Sequence, residues 1–286
     1  MRMLTAALLL AGGACGKGDQ REVGLADTSQ AVIEKLPADT ASPAAAGQPG
    51  ATGASAAETA VDRAAVAELD RMAAYLRSLK AFQVKAVTTR DEVLEDGQKV
   101  QFASTADLLI RRPDRLRGEL TSDAQHRLFF YDGKTFTLWA DLPGYYATVP
   151  APATIAELDQ RLQDKFAIEL PLRDLFYWGT DRSSVKDIKA ATDIGPSQVD
   201  GTTVEHFAFR QNDVDWQIWI QKGDYPLPRK LVITTLTDEA RPDYTAILTW
   251  NLAPSFNDAA FVFDPPAGAH KIILAQADTL SVPVQP

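Results

Sequence analysis

The residues able to do acid–base, nucleophilic or metal chemistry are few and scattered. Cys15 is the only cysteine among 286 residues, which excludes internal disulfides, iron–sulfur clusters and multi-cysteine zinc sites. The three histidines, His126, His206 and His270, stand far apart with no HxH or HxxxH spacing, so they read as ordinary surface or core residues. Carboxylates are plentiful, yet nothing pairs them for general acid–base work. Ser183-Ser184 has no neighbouring His or Lys arrangement to activate a hydroxyl, and GxSxG, HExxH and P-loop signatures are missing. The expectation is a protein that is not an enzyme, with no catalytic residue, no metal and no cofactor.

Charge narrows the partners. A formal net charge of −9 argues against nucleic acid, whose phosphates call for clustered Lys and Arg. It gives no support for adsorption on an anionic membrane surface either. Membrane association must come from something other than bulk charge.

The sole cysteine supplies that alternative. Met1-Arg2-Met3 forms a short positive region, Leu4 to Leu10 a brief apolar one, and Ala11-Gly12-Gly13-Ala14 a small-residue run ending at Cys15. The apolar run is far below the about 20 residues needed to span a bilayer and suits a cleaved signal. A cysteine directly after the small residues resembles the bacterial lipobox, with Gly12 standing where that pattern carries Leu. The resemblance implies a signal over 1–14 and a mature chain starting at an acylated Cys15, with chains such as palmitate. Conventional cleavage after Ala14 and an unprocessed tail stay open as alternatives. A single acyl chain holds only marginally at about 0.8 kcal/mol per buried methylene, and the resemblance implies more than one. Gly16, not Asp, follows the cysteine, and in that family's sorting rule this permits transport to the outer membrane. The expected location is the bacterial cell envelope, lipid-anchored in the outer membrane and facing the periplasm.

From Cys15 to position 60 the chain is rich in Ala, Gly, Pro, Ser and Thr. Such a segment has too few large apolar groups to offset the entropy of ordering, so it reads as a disordered linker. Its typical reach is roughly 35–40 Å. A patterned domain then runs over 61–275, followed by a tail over 276–286.

The domain opens on Thr59 and Asp62, which have capping-box spacing. Leu69, Met72, Ala73, Leu76 and Leu79 recur at helical spacing and form one apolar stripe. The period then changes to two. Phe82, Val84 and Ala86 alternate with Gln83, Lys85 and Val87, and Val100, Phe102, Ala106, Leu108 and Ile110 share one face of the next strand. Pro113-Asp114, Asp132-Gly133 and Pro143-Gly144 mark turns between further short strands. Thr154 and Glu157 repeat the capping-box spacing ahead of Leu158, Leu162 and Phe166. A second short helix is bracketed by Pro171 and Gly179. Strands resume at Val185–Ile194, Thr202–Phe209, Val214–Gln221, Leu231–Thr237 and Tyr244–Asn251, with a short piece at Phe261–Phe263. About ten strands in consecutive hairpins with one helical insert indicate an antiparallel sheet curved round helices.

Arg111-Arg112-Pro113-Asp114-Arg115-Leu116-Arg117, within this order of helix, hairpins, helical plug and strands, resembles the LolA/LolB-like lipoprotein-carrier fold. Phe130-Tyr131-Asp132-Gly133-Lys134, Leu142-Pro143-Gly144-Tyr145-Tyr146, Leu175-Phe176-Tyr177-Trp178-Gly179 and the run from Phe261 to Ala269 resemble DUF2092, a family of predicted periplasmic proteins. The fold expected is mainly β with helices: an incomplete antiparallel β-barrel, LolA-like, curved around a helical plug. The resemblance implies a cavity for acyl chains lined by apolar and aromatic side chains. It transfers no ligand residue.

Strand pattern alone nominates the lining. Phe136 and Leu138 share a face, as do Phe207 and Phe209, Trp216 and Ile218, and Leu248 and Trp250. A curved sheet could direct them inward onto a hydrophobic ligand; packing against the helices as a filled core is the competing reading. Arg111, Arg112, Arg115, Arg117 and Arg127 could form a basic rim, but Asp107, Asp114, Glu119 and Asp123 are interleaved with them and favour cross-strand pairing. The function expected is binding of a lipid, lipoprotein or other hydrophobic ligand by an anchored envelope protein. The alternative is a non-enzymatic structural or protein-interaction module.

Overall fold

Asp62 starts the first helix because its extended backbone lets its carboxylate accept from the Ala64 N–H at 2.8 Å. Helix α1 (Arg63–Ser78) then buries Ala65, Leu69, Met72, Ala73 and Leu76 along one stripe. The computed structural model describes residues 61–180 and 184–275. Cys15, the signal segment, the 15–60 linker, Thr59, Ser183 and the 276–286 tail lie outside them. The cap of α1 is thus Asp62, the last residue of the expected capping pair.

Among the described residues twelve strands follow in one sheet, two more than the about ten expected. They are β1 (Ala81–Val93), β2 (Lys99–Arg111), β3 (Arg115–Ser122), β4 (Gln125–Tyr131), β5 (Thr135–Ala140), β6 (Tyr145–Pro150), β7 (Ala190–Val199), β8 (Thr202–Arg210), β9 (Val214–Gln221), β10 (Pro228–Thr235), β11 (Asp243–Asn251) and β12 (His270–Lys271). Their order is β12-β6-β5-β4-β3-β2-β1-β11-β10-β9-β8-β7, with every neighbour antiparallel except β12 on β6. The sheet is open, not closed into a barrel. Its two halves are joined where β1 pairs with β11, Gln83 opposite Asn251 through Arg90 opposite Tyr244.

Two local expectations are corrected. The strand expected from Val185 starts at Ala190, after a 3₁₀ turn over Ser184–Asp187. Phe261–Phe263 is not a strand: a 3₁₀ turn over Asp258–Phe261 carries Phe261 into the protein. β12 was not expected at all, because two residues carry no period. Phe102 shares the face of Ala106 and Leu108 but is 46% exposed, since β2 runs on past the packed part of the sheet.

Two further helices complete the domain. In α2 (Ile155–Phe166) the Glu157 N–H donates to Thr154 Oγ1 at 3.3 Å, as the Thr154–Glu157 spacing implied. Helix α3 (Asp174–Tyr177) is one turn that buries Leu175 and Phe176. No helix among the described residues is long and apolar enough to cross a membrane.

Strand parity divides the sheet into two faces. The helices cover one, here called the inner face. On the outer face, the segment after β11 packs against β3–β6: Phe263 lies 5.3 Å from Phe130, 5.9 Å from Trp139 and 5.1 Å from Tyr146, ring centre to ring centre. Trp219, an exception to the alternating burial of β9, is also on the outer face. It is buried because His206 stacks on it at 4.0 Å and Lys230 sits 4.6 Å above its ring.

Candidate functional site

The inner face is built in cross-strand rows. One row runs Phe82, Ile110, Leu116, Tyr131, Phe136, Val149; the next runs Trp250, Val84, Leu108, Gly118, Phe129, Leu138, Ala147. Two helical covers lie over this face. Leu158, Leu162, Leu170, Leu175 and Phe176, from α2 through α3, pack on β1–β5 and Leu248. Ala65, Leu69, Met72 and Leu76 of α1 pack on β7–β10.

All eight residues nominated from the strand pattern lie on this face. Phe136, Phe207, Phe209, Trp216, Ile218 and Leu248 are buried, and Leu138 and Trp250 are half-buried. The structure does not bring them into one group. Phe136, Leu138 and Leu248 belong to the cluster under α2 and α3, whereas Phe207, Phe209, Trp216 and Ile218 belong to the cluster under α1. Trp250 touches both.

Three residues that strand pattern did not nominate share that bridging position. Leu79, Trp178, Trp250 and Leu252 are half-buried and pack against both clusters. Leu79, already the last member of the α1 stripe by helical spacing, and Leu252 lie just past the ends of α1 and β11. Trp178 lies just past α3, and for Leu252 and Trp178 periodicity has no hold. The seam has a polar clasp as well: Arg77 donates to the Trp178 carbonyl at 3.2 Å, and the Trp250 indole donates to the Pro228 carbonyl at 2.8 Å. The Trp216 indole nitrogen, by contrast, is buried with no acceptor among the described residues.

Polar groups enter the inner side at two levels. Asp159 of α2 is fully buried, held by Arg173 at 3.0 Å and by the Tyr177 hydroxyl. Tyr131 donates to the Pro152 carbonyl, and burial first, then Asp114, pushes its phenol up to about 12. Towards the opposite end of β1–β4 the rows become small and polar. Ala86, Ala106, Leu120 and Arg127 form one, and Thr88, Ser104, Ser122 and Gln125 the next.

The five arginines weighed as a basic rim are split, and the favoured cross-strand pairs with the interleaved carboxylates are replaced by pairs along the chain or with the Asp258 turn. Arg111 pairs with Asp258 at 2.7 Å, Arg115 with Asp114 at 2.7 Å, and Arg117 lies 3.9 Å from Glu119. Arg112 instead sits 5.9 Å over Phe82, and Arg127 points to the inner face. His126 faces outward, between Asp141 at 2.8 Å and Glu119 at 3.1 Å. The Asp141 hydrogen bond, against partial burial and helped by Glu119, raises the imidazole pKa. A raised folded value gives stabilisation that is complete below the unfolded pKa of about 6.5 and disappears as pH rises through the folded value. His126→Gln should melt below the native protein at pH 6 and level with it at pH 9. A gap of equal size at both pH values would assign the effect to neutral hydrogen bonds.

On the outer face a cleft of about 160 Å³ lies beside Phe263, lined also by Phe130, Thr137, Tyr146 and Thr148. The Asp132 carboxylate at its edge is occupied by the Lys134 and Thr135 N–H groups. No group of three or more metal-ligating side chains occurs among the described residues.

Solved structures similar to this chain include LprF from Mycobacterium bovis, at 14% identity and a TM-score of 0.42 over 68% of this chain and 96% of that one. The Mycobacterium tuberculosis lipoprotein LppX gives 13% identity and a TM-score of 0.42 over 68% and 100%. A LolA superfamily protein from Nitrosomonas europaea gives 12% and 0.32 over 70% and 97%. No curated protein matches the sequence. Residues 65–275 match the family model described as predicted periplasmic protein (DUF2092), and the chain belongs to that family.

Proposed function

We propose that this protein is a cell-envelope component that holds a lipid, lipoprotein or other apolar ligand against the inner face of its sheet, beneath the two helical covers. The observation that carries the reading is the seam. The covers rest on separate apolar clusters, and half-buried Leu79, Trp178, Trp250 and Leu252 join them. Such a junction opens at the cost of a few contacts. An acyl chain entering there offers about 0.8 kcal/mol per buried methylene, on the order of 10 kcal/mol gross for a twelve-carbon chain. The eight nominated side chains then supply the walls. An acylated Cys15 and the 15–60 tether belong to the same reading, with the domain held near the outer membrane and facing the periplasm. No catalytic step is part of it.

A second reading, a structural or protein-interaction module with a filled core, is favoured by the complete burial of Phe136 and Ile218. Laurate titration separates the two. Under the ligand reading, native protein shows a saturable change in tryptophan fluorescence that Trp250→Phe diminishes, and native mass spectra retain acyl chains. A flat titration together with a ligand-free mass leaves the filled core.

A further inference from the structure

The chemistry of the inner face changes along β4. Arg127 alternates with Phe129 and Tyr131, both buried in the cluster under α2, so strand parity puts all three on the same face. Across the ladder Arg127 stands between Leu120 of β3 and Ala140 of β5. It is half-buried, and no carboxylate lies within 4.0 Å of it among the described residues. Its neighbours in sequence and space explain why. Glu119 and Asp141 point to the outer face, where they hold His126, Arg117 shares that Glu119, and Arg111 and Arg115 each have a carboxylate of their own.

A guanidinium lifted partly out of water without a counter-ion carries a desolvation cost that an anion would remove. Burial lowers the pKa of this arginine, with no charged neighbour opposing it. One step further along the strand, the Gln125 side-chain oxygen is buried and accepts no hydrogen bond among the described residues. Beside it lie Ser122, Ser104 and Thr88. On the other side of Arg127 the face is Phe129, Leu138 and Leu108, then Tyr131 and Phe136, roughly 13 Å away at about 3.3 Å per residue. Read along the strand, the face is hydroxyl and amide, then cation, then hydrocarbon.

We propose that Arg127 binds the head of the ligand, and that the ligand is an acyl chain ending in an anionic group, carboxylate or phosphate, with its chain laid towards Phe129 and Phe136 and its head near Gln125. The proposal rests on the inner face being a ligand site. Arginine suits the role because its planar fork meets either oxyanion with two parallel hydrogen bonds.

The test is isothermal titration at pH 8 with three probes of one chain length: laurate, dodecyl phosphate and 1-dodecanol. Native protein should bind at least one anionic probe more than tenfold tighter than dodecanol, and the tighter of the two names the head. Arg127→Met, which keeps the stem and drops the charge, should bring the anionic probes within threefold of dodecanol. Arg127→Lys should keep most of the preference. Arg127→Met should also melt no lower than native protein, because it removes a charge without a partner. Equal affinity for all three probes in native protein overturns the anionic head and leaves the hydrophobic site standing. A preference that survives in Arg127→Met overturns the role of this residue. Absence of binding by every probe overturns the ligand site itself, and this proposal with it.

Discussion

Phe136→Ala should destabilise the domain by about 3–5 kcal/mol, the range for deleting a fully buried aromatic ring. The ring is completely buried, lies across the ladder from Tyr131 and Val149, and has Phe129 at 6.4 Å between ring centres. Leu158 and Leu162 of α2 belong to the same cluster. Truncation loses the transfer free energy of the ring and leaves a hole, because sheet and helix are each held by other contacts and collapse only in part. Denaturant unfolding should show the loss as a lower midpoint at unchanged slope. The hole, lined by apolar groups, should stay dry and take up benzene, so benzene should raise the melting temperature of the variant more than that of native protein. A loss under about 1 kcal/mol would mean that the ring has open space beside it already, which would count for a pre-formed cavity.

Arg173→Met should cost about 3 kcal/mol by leaving the buried Asp159 without its guanidinium. Asp159 has no exposed surface, and Arg173 reaches it at 3.0 Å while also donating to Gln163 at 2.6 Å. Water cannot replace the lost cation at such a depth, so the carboxylate keeps its desolvation cost and loses the part of the offsetting attraction that Arg173 supplied, the Tyr177 hydroxyl staying in place. The effect belongs to the pair. Asp159→Asn in the Arg173→Met background should therefore cost less than Asp159→Asn alone, with a coupling of about 1–3 kcal/mol in the double-mutant cycle. Additive losses would show that the two side chains contribute separately, and that α2 and α3 are not tied to each other through this pair.

These two sites differ in how far the chain announced them. Phe136 follows Asp132-Gly133 in a short hairpin and alternates with Thr137, so its side of the strand could be read directly. Asp159 could not be: in α2 it sits beside Leu158 among polar residues, and only α3 folding back brings Arg173 and Tyr177 onto it. The eight nominated apolar residues were likewise legible as face-sharing pairs, since alternation is a property of one strand. Their separation into two groups under two covers was not. That depends on β1 pairing with β11, which brings Val84 to Trp250 from opposite ends of the domain. Arg127 shows both sides of the matter. Its alternation with Phe129 and Tyr131 was present in the sequence, but the interleaved carboxylates suggested cross-strand pairing on a solvated face, and nothing local revealed that those nearby turn to the other face.

The amino-acid sequence by itself determined the local elements: Thr154 as a helix start, Asp132-Gly133 and Pro143-Gly144 as turns, period two in the strands and the helical stripe of α1. These follow from hydrogen bonds and steric limits between residues a few positions apart. Only the tertiary structure decided that the sheet stays open, that β12 adds to β6 in parallel, that Trp219 is buried from the outside, and that an arginine faces the hydrocarbon side. Each depends on partners distant in the chain, whose contacts are set by register and packing rather than by neighbouring residues.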